Sequence, residues 1–155
     1  MAPRKLLARG ANWVLVARER PSEYERSILG TVEAASSVHE LVRDRILREP
    51  GEVMYAIALD GRNRVIAMCE VSRGGLHACA VTARDVLRPM VACGASSFIL
   101  VHNHPSGDPT ASPEDVKFTR VVRAAAEVVG TPLVDHVIVG SWERYFSFHD
   151  RDMLD

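Results

Sequence analysis

The stretch FILVHNHPSGDPTASPEDV, residues 98–116, largely determines how this chain folds. It begins with the apolar run FILV and reaches two histidines, His102 and His104, which are separated by one residue. The residues that follow are rich in proline, glycine and aspartate, which is typical of a loop. Ser112 and Pro113 are then suited to the N-cap and the first position of a helix. The stretch therefore predicts a buried strand, a loop and a helix in direct succession.

The two histidines and Asp115 have the residue types and the spacing expected of metal ligands. Residues i and i+2 of an extended chain point to the same face, so His102 and His104 can converge on one ion. Asp115 lies in the first turn of the predicted helix and can fold back to supply an oxygen ligand. Two imidazoles and one carboxylate, with a fourth position open to water, are typical of catalytic zinc. We therefore predict one zinc ion per chain.

Each part of this pattern also has a purely structural interpretation. Ser112 to Asp115 would make a good helix start in any protein, and two histidines at the end of a strand are compatible with surface residues. The joint spacing favours the metal site, because a buried strand that delivers two histidines into a loop returning an acid is hard to obtain by accident.

Hydrophobic spacing outside this stretch predicts one mixed sheet with helices packed on it. A helix is expected from Ser37 to its stop at Pro50-Gly51, and another from an N-cap at Thr82 to Gly94. The helix after Ser112 is expected to end at Gly130, with apolar positions at Val116, Val121, Val122, Ala125 and Val128.

Seven strands are expected from short apolar runs bounded by turn residues. They are Trp13 to Val16, Ile28 to Val32, Val53 to Leu59, Val65 to Val71, Ser96 to Val101, Leu133 to Val139 and Tyr145 to Phe148. The first two are expected to pair with each other, and the third and fourth to form a hairpin across Asp60-Gly61-Arg62-Asn63. The fold class is therefore α/β (α+β), one domain over residues 1–155 with its core at about 37–149.

Composition limits both the size of the core and the classes of partner. The 155 residues are 47% hydrophobic and 25% charged, enough for one well-buried core and not comfortably for two. A net charge of −1 gives no general attraction to a phosphate backbone, so direct nucleic-acid binding is not expected. No run approaches the roughly 18 apolar residues of a membrane span, and the first residues show no long apolar run or small-residue cleavage site, so a signal peptide is not expected. We expect a cytoplasmic protein without membrane contact.

The remaining cysteines and histidines have no partners at ligand spacing. Cys69, Cys79 and Cys93 form no C-x-x-C pair and are expected to be reduced thiols. The histidines expected to have only surface or structural roles are His39, His77 and His149.

HNHPSGDP followed by SxxD resembles the RadC form of the JAMM signature, H-x-H-x7-S-x2-D, residue for residue. The segments VSRGGL, RDV and DHVIVG followed by YFSF resemble further RadC blocks, and the resemblance covers roughly residues 37–149. It implies the JAB/MPN fold, whose architecture is similar to that of cytidine deaminases. It also implies zinc-dependent cleavage of an amide or isopeptide bond in a protein or peptide, with ubiquitin-like proteins among the candidate substrates.

The resemblance also implies roles for residues remote from the ligands. The JAMM pattern includes a glutamate that acts on the water at the zinc, and by resemblance this is Glu52. The residues alone leave Glu49 and Glu70 as alternatives. The Ser112 hydroxyl would donate to the oxyanion of the tetrahedral intermediate. Asp135 and His136 resemble the family's Asp-His pair, which either supports a metal ligand from behind or is satisfied locally within a buried strand.

The chain departs from the RadC pattern in a few places. RadC proteins usually carry an N-terminal helix-hairpin-helix segment, and we expect this chain to lack one, which leaves the family's DNA-repair label without a physical carrier. Gly75, Ala83 and Ala111 replace residues that are usually Thr, Pro and Pro, and none of the three is a proposed ligand.

Two functions of other classes stay open at this point. One is a DNA-repair-associated nucleic-acid-binding module or nuclease, which tight and salt-dependent DNA binding would support. The other is a non-catalytic MPN-like scaffold that only binds partners, which the presence of all the ligands disfavours. A zinc deaminase would need the patterns H-x-E and P-C-x-x-C, and this sequence has neither.

Overall fold

A computed structural model of the chain describes residues 30–74 and 81–154 and the backbone of two short strands. These strands, β1 (Lys5–Leu6) and β2 (Leu15–Val16), pair antiparallel with each other. The expected pairing of β2 with Ile28 to Val32 is therefore wrong, and Thr31 in that run instead forms a bridge with Arg64. Pairing with β1 needs only a short connection along the chain, whereas the bridge places Thr31 beside Arg64. The predictions for Gly75, His77 and Cys79 lie outside the described residues.

A five-stranded mixed sheet forms the centre of the fold, as predicted. Its strands are β3 (Val53–Leu59), β4 (Val65–Arg73), β5 (Ser97–Asn103), β6 (Leu133–Val139) and β7 (Tyr145–Ser147). They are ordered β4-β3-β5-β6-β7. Only the central pair β5 and β6 runs parallel, and the expected β3–β4 hairpin is confirmed. A parallel pair needs a long crossover, which the loop and helix after β5 supply.

Three helices flank the sheet: α1 (Ala35–Ile46), α2 (Ala83–Ala92) and α3 (Pro113–Val129). Helix α1 packs on one face and α2 and α3 on the other, so β3 is buried along its whole length. Side chains of a strand alternate between faces. Ile99 and Val101 of β5 accordingly pack with α1, whereas Phe98 and Leu100 pack with α2 and α3. In the described part of the chain, no helix has the length and apolar character that crossing a bilayer requires.

Capping explains where the two helices on the second face begin. Thr82 with Asp85 and Ser112 with Asp115 form reciprocal capping boxes, and Pro113 occupies the first turn of α3. Gly130 ends α3 with a left-handed backbone at φ 80°. These starts and the α3 stop agree with the sequence.

The buried face of α3 differs from the one expected from its apolar residues. Val121 is 53% exposed and Val128 is 90% exposed, although both are among the apolar positions of the predicted helix. The buried side chains of α3 are instead Asp115, Thr119, Val122 and Ala126. These four follow helical i, i+3, i+4 spacing, so the helix is rotated to turn two polar residues toward the sheet.

Gly140 allows the loop after β5 to lie against the end of β6. A Cβ built on Gly140 would lie 2.6 Å from the Gly107 carbonyl oxygen and 2.7 Å from Pro109 Cδ. Those distances are far shorter than normal van der Waals contact, and a backbone atom cannot easily move away. The absence of a side chain at this position therefore fixes the path of the loop that carries His104.

We expect Gly140→Ala to reduce the free energy of unfolding by about 1–3 kcal/mol, because the added methyl group overpacks the loop. Urea denaturation of the purified variant would measure the loss. Gly51→Ala is the matched control, since open space surrounds that glycine and its φ is not in the left-handed region. Equal stability of the two variants would contradict the proposed close approach.

Candidate metal centre

The end of β5 and the start of α3 bring the three predicted ligands together. His102 follows Phe98 and Leu100 on the face of β5 that α2 and α3 cover, and His104 lies one residue beyond the strand. The His104 N–H donates to the Val139 carbonyl oxygen at 2.9 Å, which holds the chain beside β6 past the end of β5. Asp115 enters from the first turn of α3.

The ligand atoms lie at the separations that one small cation requires. His102 Nε2 is 3.0 Å from His104 Nε2 and 3.3 Å from Asp115 Oδ1, and His104 Nε2 is 3.4 Å from Asp115 Oδ2. Ligands of tetrahedral zinc at 2.0–2.1 Å from the ion are themselves about 3.3 Å apart. His102 and Asp115 are buried, and His104 is partly exposed. The three residues could hold a metal ion, and their donor set fits zinc.

Hydrogen bonds behind His102 determine which of its nitrogens faces the site. The Asp115 carbonyl can only accept, so the Thr119 hydroxyl donates to it at 2.6 Å. Thr119 Oγ1 then accepts from His136 Nδ1–H at 2.6 Å, and His136 Nε2 accepts from His102 Nδ1–H at 2.8 Å. Burial holds the pKa of His136 well below its usual value, so this ring is neutral as the chain of bonds requires. His102 Nε2 is left with its lone pair directed at the other ligands.

His104 is oriented in the same way by a different group. Its Nδ1–H donates to the Asp108 carbonyl oxygen at 2.8 Å, within the loop that lies against Gly140. The lone pair on His104 Nε2 in the neutral ring therefore also points into the site.

Asp115 is an ionised carboxylate in these surroundings. Burial raises its pKa, but its close contacts with the His102 and His104 rings lower it more, and the net pKa is well below the usual range. The pKa of His104 is raised, mainly by its hydrogen bond with Asp115 and against the opposing effect of burial. In the metal-free protein at a pH below the pKa of His104, the proton on this ring supplies the positive charge that the carboxylate attracts.

These opposite shifts predict a stability optimum for the metal-free protein. The lowered pKa of Asp115 stabilises the fold above the unfolded carboxyl pKa of about 3.9, and this contribution is lost as pH falls. The raised pKa of His104 stabilises the fold below about pH 6.5, and this contribution is lost as pH rises through the folded pKa. The pair therefore stabilises most between about pH 4 and 6.5.

Urea denaturation in EDTA between pH 6 and 8.5 would show the alkaline loss. We expect wild type to lose stability across this range and Asp115→Asn, which removes the main cause of the His104 shift, to lose less. If the free energy of unfolding changed equally with pH in the two proteins, the assigned pairing of His104 with Asp115 would be contradicted.

The structure separates the roles of Asp135 and His136, which the sequence left open. His136 contacts His102 directly, and its ring stacks on Phe148 with centroids 5.0 Å apart. The Asp135 carboxylate instead accepts from the His136 and His149 N–H groups and from the Ser147 hydroxyl. Burial raises the pKa of Asp135. His136 thus lies behind a predicted ligand, whereas Asp135 fastens the turn after β7.

We expect His136→Phe to weaken zinc binding by about 10–100-fold, because His102 Nδ1–H loses the acceptor that orients the ring. The phenyl ring can keep the stacking on Phe148. Competition with a chromophoric chelator would measure the affinity. Asp135→Asn is the control and is expected to bind zinc about as tightly as wild type. Equal losses in both variants would show that only general destabilisation is at work.

Glu52 is the glutamate that the fold leaves beside the ligands. It directly precedes β3, it is half-buried, and its charge is a lesser cause of the raised His104 pKa, after the Asp115 hydrogen bond. Within the described residues its carboxylate has no hydrogen bond or ion pair. Glu49 and Glu70 both pair with Arg73, which occupies their carboxylates. The geometry favours Glu52 over the two alternatives, and its role as general base stays a prediction.

Ser112 is bonded to the ligand carboxylate in this structure. Its hydroxyl donates to Asp115 Oδ2 at 2.6 Å, and its backbone N–H donates to the same oxygen at 2.8 Å. Both bonds direct Oδ1 toward His102. The capping box that gave Ser112 a structural interpretation therefore also orients a predicted ligand, and the oxyanion role stays a prediction.

Thr119 was not predicted from sequence as a site residue. The available signal was its position four residues after Asp115, which places the two side chains on one helix face. Of the other side chains, His39 is buried, bonds to the Ser141 carbonyl and stacks on Tyr145, which is a structural role. Cys69 and Cys93 are free thiols, and burial raises the pKa of Cys69 to about 12.

The fold and the site together define an α/β protein with a candidate mononuclear metal centre at the end of a central strand. Residues 32–153 match the family described as the RadC-like JAB domain. The chain belongs to this RadC-like JAB family. Membership and the His102–His104–Asp115 group fit a metal-dependent hydrolase.

Several curated relatives support this assignment. A UPF0758 protein of Clostridium perfringens is 36% identical over 146 residues, which cover 93% of this chain and 64% of that protein. A UPF0758 protein of Syntrophomonas wolfei is 38% identical over 132 residues, covering 85% of this chain and 56% of that protein. A UPF0758 protein of Pelobacter propionicus is 44% identical over 103 residues, covering 66% of this chain and 44% of that protein. The chain spans less than two thirds of the length of these relatives.

Proposed function

We propose that this chain is a zinc-dependent peptidase or isopeptidase that hydrolyses an amide bond in a protein or peptide. The observation that carries the proposal is that His102 Nε2, His104 Nε2 and the ionised Asp115 carboxylate lie close enough together to bind one cation. Glu52 adds a carboxylate without a competing partner in the described part of the chain. Amide hydrolysis needs a Lewis acid that activates the carbonyl and the water, and a general base that transfers protons. A metal ion held by the three ligands would supply the first, and Glu52 would supply the second.

A zinc ion held by His102, His104 and Asp115 would polarise the substrate carbonyl and lower the pKa of water from about 15.7 to about 7. Glu52 would remove a proton from the attacking water and return it to the departing amine. General acid–base catalysis of this kind contributes typically about 10²–10⁴-fold to the rate. Its position beside His104 and its half-buried carboxylate support this role for Glu52.

Ser112 would stabilise the developing oxyanion with its hydroxyl. The Ser112 N–H donates to Asp115 Oδ2 independently of the hydroxyl. If the hydroxyl turns toward substrate, the ligand carboxylate therefore keeps one of its two bonds to this residue. His136 and Thr119 keep His102 in the tautomer that presents Nε2 throughout.

The substrate class rests on the family resemblance, with ubiquitin-like proteins among the candidates and a cytoplasmic location expected. The complete ligand set supports catalysis over a silent scaffold. No feature of the described residues favours a DNA-binding module or nuclease over the hydrolase.

The first test is zinc content by elemental analysis, followed by hydrolysis of quenched fluorescent peptides and lysine-isopeptide-linked peptides. We expect about one zinc per wild-type chain and none in a folded His102→Ala/His104→Ala variant. Glu52→Gln should retain zinc and lose hydrolysis by about 10²–10⁴-fold. Wild type without zinc after supplementation, or full activity in Glu52→Gln, would overturn the proposal. Arg73→Gln, which releases Glu49 and Glu70, is the matched control and should leave the rate largely unchanged.

A further inference from the structure

Asn103 lies between the two histidine ligands, and its side chain bonds to the backbone on both sides of Glu52. Its Oδ1 accepts from the Val53 N–H at 2.8 Å, and its Nδ2 donates to the Gly51 carbonyl oxygen at 3.1 Å. The side chain is buried, and Asn103 is 2% exposed. One amide group therefore links the ligand strand to both neighbours of the predicted general base.

The side chain acts where regular pairing between the strands stops. Backbone pairing of β3 with β5 extends as far as Met54 opposite His102. Beyond that point the Glu52 carbonyl accepts from the Gly74 N–H at 2.7 Å, on the β4 side. Asn103 supplies the remaining bonds from the β5 side. The backbone at Glu52 is thus held between two strands rather than free at the end of one.

Asn103 is not placed to bind the metal itself. Side chains alternate along an extended chain, and His102 and His104 share the face that Asp115 approaches. The Asn103 side chain points to the opposite face, in series with Ile99 and Val101, which pack with α1. Its influence on the site must therefore pass through the residues to which it bonds.

Glu52 depends on this support, because its own carboxylate has no hydrogen bond or ion pair within the described residues. Its place relative to the ligands is then set by its backbone. Asn103 is covalently adjacent to His102 and His104. Its two hydrogen bonds therefore set how far the backbone of Glu52 lies from these two histidines.

We propose that Asn103 is a positioning residue that holds Glu52 beside the metal centre before substrate arrives. The inference rests on the proposed function and deepens it, because it names the connection between the ligands and the general base. Preorganisation of this kind lets the carboxylate act without being ordered during the reaction.

A double-mutant cycle on zinc affinity tests the proposal without any substrate. Glu52→Gln is expected to weaken zinc binding by roughly threefold to tenfold, because a nearby negative charge is removed. Asn103→Leu, similar in size but unable to form either bond, is expected to weaken zinc binding measurably, by no more than Glu52→Gln does. The double variant is expected to bind no more weakly than Glu52→Gln alone, since Asn103 acts through Glu52.

Val101→Ala is the matched control, because Val101 is buried on the same strand and the same face but does not bond to the Glu52 segment. It should destabilise the fold and leave zinc affinity unchanged. Losses that multiply in the double variant, or wild-type affinity in Asn103→Leu, would overturn the role of Asn103.

Hydrogen exchange of the Val53 amide provides a second readout on the metal-free protein. We expect at least tenfold faster exchange in Asn103→Leu than in Val101→Ala of similar stability, since the acceptor of that amide is lost. Asn103→Ser supplies the same comparison if the leucine variant does not fold. Unchanged exchange would refute the positioning role, whereas a wild type that binds no zinc would refute the proposed function and leave this exchange result interpretable.

Discussion

The close approach of His102, His104 and Asp115 at one point is the constraint on which the arrangement of this site depends. The Nε2 atoms of His102 and His104 lie 3.0 Å apart, with an ionised carboxylate at 3.3 and 3.4 Å. Such a cluster is favourable only when a cation or a proton lies among the three groups. The fold imposes the cluster because β5 and α3 are fixed by burial on the same face of the sheet. Core packing thus stabilises a site that its polar groups alone would not form.

The orientation of His102 depends on a series of buried hydrogen bonds in which each donor has an acceptor. His102, His136 and Thr119 each donate to the next group in that order, and the series ends on the Asp115 carbonyl, which belongs to another predicted ligand. The series is closed because it begins and ends on ligand residues. A change in any member of the series is therefore expected to affect both His102 and Asp115. Buried polar networks in which every group is satisfied specify one arrangement of their side chains.

The loop after β5 and the segment before β3 both lie at the candidate metal centre, and each depends on one residue of a neighbouring strand or turn. Gly140 makes room for the loop that orients His104, and Asn103 bonds to the backbone around Glu52. The region matched by the RadC-like JAB family, residues 32–153, contains every one of these positions.

Local order along the chain was determined by the sequence itself: the strand that ends in two histidines on one face, the turn-rich loop, the capped start of α3 and the β3–β4 hairpin. Covalent spacing and hydrogen bonds between near neighbours set these features. Tertiary structure alone decided which face of α3 is buried, that His136 and Thr119 lie behind His102, and that Arg73 pairs with Glu49. These outcomes depend on register between strands distant in sequence, and no local pattern encodes that register.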